Sequence, residues 1–214
     1  MASPNPSVVH PFPGDLRPGQ THRLPVVDVT LLFADVVGSA EIVQRLGDRG
    51  AYSLIRQFCS VVREATLRCE GETIELRGDG ALLVFSSPRA ALACAIEIQE
   101  RCGREGSLGI RIGLHSGGAL RLVRGYFGQT LILAARIADQ AQQGEILVSP
   151  QLLLRIGDLG SLRLGAQRSI ELKGFPQPVL VSQIEWRPEL QPIPLPLRGT
   201  SFRRSARAAS ARIG

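Results

Sequence analysis

Two aspartates in this 214-residue chain occupy positions where carboxylates could hold metal ions. Asp35 ends the apolar run VVDVTLLFAD, and Asp79 lies in the turn Gly78-Asp79-Gly80. Singly, Asp35 could cap the following helix and Asp79 could be an ordinary hairpin residue. The order of elements derived below predicts instead that they lie side by side at one edge of a sheet. Like charges that close repel unless a cation lies between them, and carboxylate oxygens suit Mg²⁺ or Mn²⁺.

The segment after Asp35 adds a candidate anion site. The chain continues as Val36, Val37, Gly38 and Ser39 and then enters a predicted helix. The free backbone N–H groups and the positive dipole end of a helix start attract phosphate. A metal, a glycine-containing turn and a helix start together are typical of a two-metal triphosphate site, in which one ion activates an attacking oxygen and the other stabilises pyrophosphate. Polymerases use the same palm-like arrangement, so the fold alone does not choose between activities.

The apolar patterns predict the elements that bring these groups together. The run ending at Asp35 is strand one, and two helices follow between Ala40 and about Cys69, with a break near Gly47. The segment ETIELRGDGALLVFS is predicted to be a hairpin with its turn at Asp79. A right-handed crossover makes strands one and two parallel, and the hairpin then places strand three between them.

The rest of the chain continues the alternation. A helix is predicted from Arg89 to about Arg101, then a strand GIRIGLHSG with a second strand after it, and then a helix from about Leu131 to Gln143. Short strands are expected around Ile146, Leu162, Ile170 and Leu180. The predicted fold is therefore α+β, with a β-α-β-β-α-β palm-like (ferredoxin-like) core and additional C-terminal strands.

Composition divides the chain into a neutral body and two basic ends. Residues 187–214 hold six arginines and one glutamate, residues 1–25 hold two arginines and one aspartate, and together they account for the net charge of +6. Ten of the 14 prolines also lie in these ends. We predict a Pro-rich disordered extension over 1–25, one folded domain over 26–186, and a disordered Pro/Arg-rich tail over 187–214.

The same features bear on partners and compartment. The body carries no net charge, so nucleic acid is not expected as a partner, although the tail segment FRRSARAASAR leaves contact with nucleic acid or an acidic membrane as an alternative to a solvated tail. No apolar run approaches the about 18 residues of a membrane span, and the N-terminus does not resemble a signal peptide. We expect a cytoplasmic protein whose four cysteines are reduced, mostly buried apolar residues: Cys59, Cys69, Cys94 and Cys102.

Six short motifs together resemble the class III nucleotidyl cyclases, the catalytic domains of adenylate and guanylate cyclases. The resemblance covers about residues 27–186, and the motifs occur in family-like order and spacing: TLLFADVVGS, LRGDGALLVF, IRIGLHSG, GYFGQTLILAAR, GEILVS and ELKGFPQPVLV. It implies a head-to-tail homodimer with two interface sites. Each site would convert a nucleoside triphosphate to a 3′,5′-cyclic nucleotide and pyrophosphate with two Mg²⁺ or Mn²⁺ ions.

The resemblance also assigns roles to particular positions. It makes Asp35 and Asp79 the metal ligands and Arg111 a contact of the triphosphate. From the partner subunit it supplies Arg136, which offsets charge at the reacting phosphorus, and Lys173, which binds phosphate. Lys173 is the only lysine in the chain, which fits a position that needs a compact ammonium group. For Arg111, Arg136 and Lys173 the alternative is an ordinary surface ion pair.

Three positions depart from the family pattern. Where adenylate cyclases have a purine-binding lysine, this chain has Glu75. In this respect the chain resembles guanylate cyclases, because a carboxylate can accept hydrogen bonds from guanine. The alternative is that Glu75 is an exposed strand charge beside Arg77. The second base-binding position is Gly125, which has no side chain. The asparagine expected one helical turn before Arg136 is Ile132. An isoleucine donates no hydrogen bond, and loss of one transition-state donor costs on the order of 10²- to 10³-fold in rate.

Three functional interpretations follow. The first is a weak or specialised cyclase: adenylate production is the commoner activity in the family, guanylate production is favoured by Glu75, and pyrimidine substrates stay open. The second is a catalytically silent nucleotide-binding or dimerisation module, and the third is a tail-driven binder of membrane or nucleic acid. His115 invites assignment as a general base, but a buried histidine bonded to backbone is the favoured interpretation. The sequence does not indicate a regulatory partner.

Overall fold

The computed structural model describes residues 24–104, 108–171 and 174–186, which form one mixed sheet with helices on both faces. In chain order its elements are β1 (Val26–Val36), α1 (Ser39–Arg68), β2 (Glu72–Arg77), β3 (Gly80–Phe85), α2 (Pro88–Arg104), β4 (Ile110–Arg121), β5 (Tyr126–Phe127), α3 (Gln129–Gln140), β6 (Ile146–Val148), α4 (Pro150–Ile156), β7 (Arg163–Ile170) and β8 (Val179–Glu185). The strand order is β2-β3-β1-β4-β6-β8-β7, with β5 paired to β4. The predicted α+β class is confirmed.

The strand order brings the two aspartate-bearing segments together as predicted. Strand β3 pairs antiparallel with both β1 and β2, so β2 runs parallel to β1 with β3 between them. Asp35 is the register partner of Gly80, the first residue of β3. Asp79 therefore lies beside the end of β1.

The central strands are apolar on both faces because both faces are covered. On one face Leu32 and Phe85 pack with Phe58 of α1 and Ile98 of α2. On the other face Leu31, Leu82 and Val84 pack with Leu131 and Ala134 of α3. Burial on both sides explains why β1 is a near-continuous apolar run. Its last acidic side chain, Asp35, projects on the α3 face, since Leu31 and Asp35 are an even number of residues apart.

Several predicted boundaries shift in the structure. The predicted break between two helices before Cys69 is confirmed, because α1 consists of two helical stretches joined across a kink at Gly47 (φ 67°, ψ 171°). Helix α3 ends at Gln140 instead of Gln143, because the backbone of Ala141 is extended. Leu162 precedes β7, and Ile170 is the last residue of that same strand, so these two positions mark one strand and not two.

Helix α4 was not predicted, although its start carries a recognisable signal. Ser149 is the N-cap and its side chain accepts a hydrogen bond from the backbone N–H of Leu152, while Pro150 occupies the first helical position. This is the usual placement of serine and proline at a helix start. Residues 1–23 and 187–214, nearly all of the two predicted extensions, lie outside the described residues.

Candidate active site

Asp35 and Asp79 lie side by side at the junction of β1 with the β2–β3 turn. The backbone N–H of Val36 donates to the carbonyl oxygen of Asp79 at 2.9 Å. A Cβ placed on Gly80 would lie 3.6 Å from Oδ1 of Asp35, so this carboxylate points toward the turn. Burial raises the pKa of Asp35 above its ordinary value; Arg111 lowers it, and the negative charges of Asp79 and Asp139 raise it further.

This donor set fits a hard divalent cation that is shared with a phosphate ligand. Mg²⁺ is usually held by one or two carboxylates, with substrate phosphates and water completing its coordination. The described residues contain no group of three or more histidine, cysteine, aspartate or glutamate side chains placed to hold a metal. Two carboxylates at a partly exposed edge suit a cation whose remaining ligands are water or phosphate.

Asp35 does not cap helix α1. The N-cap of α1 is Gly38, which has left-handed backbone (φ 70°, ψ 35°) and makes no side-chain cap bond. The side chain of Asp35 instead accepts two hydrogen bonds from Arg111, from Nε at 3.0 Å and from Nη2 at 2.6 Å, both to Oδ2. The two residues face each other across β1 and β4. In this state Arg111 contacts a predicted metal ligand, which adds a contact that sequence reasoning did not anticipate.

Helix α3 contributes a second arginine and an aspartate that sequence reasoning missed. Arg136 donates from Nη1 to Oδ2 of Asp139 at 3.4 Å, and Oδ1 of Asp139 lies 3.9 Å from Nη2 of Arg111. Arg111 also donates from Nη1 to the backbone oxygen of Asp139 at 3.4 Å. The four charged side chains form a chain of contacts in the order Asp35, Arg111, Asp139 and Arg136. The signal for Asp139 was its i,i+3 spacing from Arg136, which places both on one face of a helix.

Close backbone packing fixes α3 against β4. A Cβ on Gly113 would lie 2.2 Å from the backbone nitrogen of Ala138, and a Cβ on Gly117 would lie 2.7 Å from Oγ1 of Thr130. Thr130 also donates to the backbone oxygen of Gly118. Only glycine permits this approach of a helix to a strand. The motif IRIGLHSGG therefore positions the arginine-bearing helix as well as Arg111 itself.

Two of the four backbone N–H groups in the predicted phosphate turn are already bonded within the fold. The N–H of Val36 donates to Asp79, and the N–H of Val37 donates to the carbonyl of Gly109 at 2.8 Å. The first helical bond of α1 runs from Ile42 to Gly38, which leaves the preceding N–H groups of the helix start without an intrahelical partner. Of these four backbone N–H groups, those of Gly38 and Ser39 are therefore the candidates for binding phosphate. Val36 and Val37 shape the turn.

The two predicted base-binding positions lie near each other on the sheet. Glu75 pairs with Leu82, which pairs with Phe33, so Glu75 lies on the same sheet face as Asp35. Its carboxylate is 31% exposed and lies 3.9 Å from the mostly exposed Arg77. Strand geometry places it about 7 Å back from the end of β2. A nucleobase bound beside Glu75 would therefore lie at a distance from phosphates bound near Asp35.

Gly125 approaches the same strand from the segment between β4 and β5. A Cβ on Gly125 would lie 3.4 Å from Cγ2 of Ile74, the neighbour of Glu75. Gly125 has a positive φ of 82°, and its carbonyl accepts a hydrogen bond from Leu122. The turn thus favours glycine for conformational reasons. Any contact with a base at this position would come from the backbone.

The remaining predicted positions differ in their exposure and contacts. Ile132 is 47% exposed, so it fills no core space. His115 is buried, as predicted, but its Nδ1 is bonded to the hydroxyl of Ser149 at 2.8 Å and not to backbone. Burial, with a smaller contribution from Arg155, lowers the pKa of His115 to about 4, and it lies away from the carboxylates. Lys173 lies outside the described residues.

The cysteines and the hydropathy of the helices bear on two further predictions from the sequence. All four cysteines are free thiols; Cys94 and Cys102 are buried, while Cys59 and Cys69 are only partly so. Throughout the described ranges, no helix combines the length and hydropathy that a membrane span requires.

The chain is similar to a known family of catalytic domains and to several mycobacterial proteins. The family model described as the adenylate and guanylate cyclase catalytic domain matches residues 23–184. The uncharacterized protein Rv2212 of Mycobacterium tuberculosis is 31% identical over 157 residues, which cover 73% of this chain and 41% of that protein. Uncharacterized protein Rv0891c of the same organism is 31% identical over 168 residues, covering 75% and 56%. The chain thus spans about half or less of the length of these relatives.

Solved structures of cyclases share the fold of this chain. The guanylyl cyclase Cya2 superposes with a TM-score of 0.68 at 21% identity, covering 79% of this chain and 97% of that one. The adenylyl cyclase CyaB from P. aeruginosa gives 0.63 at 22% identity, covering 75% and 94%. An adenylate/guanylate cyclase/hydrolase from Silicibacter pomeroyi gives 0.63 at 26% identity, covering 75% and 97%. At these identities the first two similarities concern the fold alone.

Proposed function

This chain belongs to the family of adenylate and guanylate cyclase catalytic domains, and we propose that it converts a nucleoside triphosphate to a 3′,5′-cyclic nucleotide and pyrophosphate. The observation that carries this proposal is the meeting of Asp35 and Asp79 at one sheet edge, with Arg111 beside them. A homodimer would form two such sites, each completed by Arg136 and Lys173 of the partner subunit. We also propose a cytoplasmic location, where nucleoside triphosphates are available.

The proposed reaction needs no protein nucleophile. The ribose 3′-oxygen forms a bond to the α-phosphorus while the bond to pyrophosphate breaks, and the hydroxyl proton passes to solvent. Mg²⁺ or Mn²⁺ bound at Asp35 and Asp79 would lower the pKa of the 3′-hydroxyl and offset charge on the phosphates. The role of the two aspartates is thus to hold cations where the triphosphate and the ribose meet.

The cationic and backbone groups of the chain would hold the rest of the triphosphate. Arg111 has five N–H donors and in this structure uses them on Asp35 and Asp139, so it lies within reach of a phosphate bound at that edge. Gly38 and Ser39 present backbone N–H groups at the start of α1. Arg136 offsets the charge that develops at the reacting phosphorus.

Base recognition is proposed to depend on Glu75. Its carboxylate, on the same face as Asp35, could accept hydrogen bonds from N1–H and the 2-amino group of guanine, which favours GTP. ATP is the alternative by frequency in the family. CTP and UTP belong in the same test because neither Glu75 nor Gly125 matches the adenine-binding pattern.

A second candidate function is a catalytically silent nucleotide-binding or dimerisation module. Two observations favour it: Ile132 replaces a hydrogen-bond donor, and Oδ2 of Asp35 is occupied by Arg111. Under this interpretation the protein would bind a nucleotide without turning it over. Equilibrium binding measured beside the turnover assay separates the two functions.

The decisive assay incubates the purified chain with each of the four nucleoside triphosphates and Mn²⁺, and identifies cyclic products by mass spectrometry. We expect product from at least one nucleotide, and none from Asp35→Asn or Asp79→Asn. Asp28→Asn is the matched control, because Asp28 lies on the same strand and is also paired with an arginine, Arg155, at 2.8 Å. Exposed pairs of this kind contribute little to stability, so this variant should keep its activity. Failure of all four substrates to give a product would refute the catalytic proposal.

A further inference from the structure

The carboxylate of Asp139 lies between Arg111 and Arg136 of the same subunit. Oδ1 is 3.9 Å from Arg111 and Oδ2 is 3.4 Å from Arg136. All three side chains are about 30% exposed, so they are neither fully solvated nor part of the core. Gly113 lets the backbone of Ala138, the residue before Asp139, lie directly against β4, which brings Asp139 close to Arg111.

Arg111 presents a difficulty for any cation at Asp35. Both of its hydrogen bonds to Asp35 end on the same oxygen, Oδ2, at 2.6 and 3.0 Å. A cation coordinated by that carboxylate would be repelled by the guanidinium group and would compete with it for lone pairs. A cation that uses Oδ2 displaces Arg111 from it, and a partly buried arginine then needs another acceptor.

Among the described contacts of Arg111, Asp139 offers the alternative acceptor. Its Oδ1 is 3.9 Å from the same Nη2 that now bonds to Asp35, and its backbone oxygen already accepts from Nη1. A small rotation of the guanidinium group would bring Nη2 within hydrogen-bond distance. Because the group has five donors, Arg111 could bond to Asp139 and still present donors to a phosphate.

We propose that Asp139 is a positioning residue that takes over Arg111 from Asp35 when a divalent cation binds, and so allows Asp35 to act as a metal ligand. This inference rests on the proposed function, because it assumes that Asp35 and Asp79 hold a cation. It goes beyond that function by assigning a role to a residue that touches neither cation nor substrate. Without Asp139, Arg111 stays on Asp35 and opposes the cation.

The test is a Mn²⁺ titration of the full chain without nucleotide, with free Mn²⁺ followed by electron paramagnetic resonance. Asp139→Asn should weaken binding by on the order of tenfold, within the range of couplings found inside one ion-pair network. Asp139→Glu keeps the carboxylate and should restore most of the affinity. Asp28→Asn removes the same charge at the other end of β1 and should leave the affinity unchanged. Circular dichroism melting of each variant checks the fold.

A double-mutant cycle distinguishes positioning from a simple change of charge. In an Arg111→Ala background there is no guanidinium group to displace, so Asp139→Asn should change Mn²⁺ affinity by less than threefold, within the limit of additive behaviour. An equal loss in both backgrounds, or no loss in either, would overturn the role of Asp139. Absence of Mn²⁺ binding by the unmodified chain, or unchanged binding by Asp79→Asn, would instead refute the metal site itself, and the inference with it.

Discussion

Under the proposed cyclase function, replacing Ile132 with asparagine should raise the rate of cyclic nucleotide formation. Ile132 lies on α3 one turn before Arg136, and its side chain is 47% exposed. The substitution therefore opens no cavity. Isoleucine and asparagine have similar helix propensities, and surface substitutions usually change the free energy of unfolding by less than about 0.5 kcal/mol. The variant should fold like the parent.

The expected gain follows from the chemistry of the lost donor. A side-chain amide at this position could donate a hydrogen bond to the ribose or to the reacting phosphate. A donor that acts mainly on the transition state is worth on the order of 10²- to 10³-fold in kcat. Because such a bond strengthens in the transition state, kcat and kcat/KM should rise together while KM changes little.

The assay measures initial rates of cyclic nucleotide formation with the best substrate of the four. Ile132→Leu is the matched control, since it keeps the size and apolar character without adding a donor, and it should stay at the parental rate. Light scattering at the assay concentration checks that both variants keep the parental oligomeric state. If Ile132→Asn forms the same oligomer and binds nucleotide but is no faster than Ile132→Leu, the assignment of this position is wrong.

Two further predictions address subunit sharing and acid stability. Mixing inactive Asp79→Ala with inactive Arg136→Ala should restore activity, because each heterodimer contains one site with neither change; no recovery despite demonstrated subunit exchange would contradict a shared site. The second concerns His115: its pKa is lowered from 6.5 to about 4, so the folded state binds fewer protons than the unfolded state between these pH values. This contribution to stability is present above about pH 6.5 and is lost as the pH falls toward 4, by about 3 kcal/mol in total. Urea unfolding across this range should show the decline, and His115→Asn should reduce it; an unchanged slope in that variant would exclude His115 as its origin.

The meeting of Asp35 and Asp79 was predictable because it depends on topology alone. An apolar run identified β1, the glycine-flanked turn identified the hairpin, and the handedness of the crossover then fixed which strands are neighbours. The position of the end of β1 beside the hairpin turn follows from these facts without any knowledge of side-chain packing, and the structure adds the exact pairing of Asp35 with Gly80. The hairpin turn was equally clear, because Gly78-Asp79-Gly80 separates the mixed strand ETIELR from the apolar run ALLVF.

The contacts of the arginines were not predictable in the same way. Whether Arg111 bonds to Asp35, to a phosphate or to solvent depends on side-chain rotamers and on the depth at which α3 packs. That depth is set by Gly113, whose missing side chain lets Ala138 reach the strand backbone. Spacing alone could place Asp139 and Arg136 on one helical face, but it could not indicate that this face meets β4 at Arg111.

The backbone contact between α3 and β4 also limits how a regulator could act on this domain. Closely packed interfaces change between discrete arrangements and do not deform continuously. A helix that touches a strand at Gly113 without intervening side chains has no flexible layer to absorb a partial displacement. Any signal that moves α3 would therefore shift Arg136 and Asp139 as one unit. In the proposed dimer, it would change a subunit's own cation site and its contribution to the neighbouring subunit in the same event.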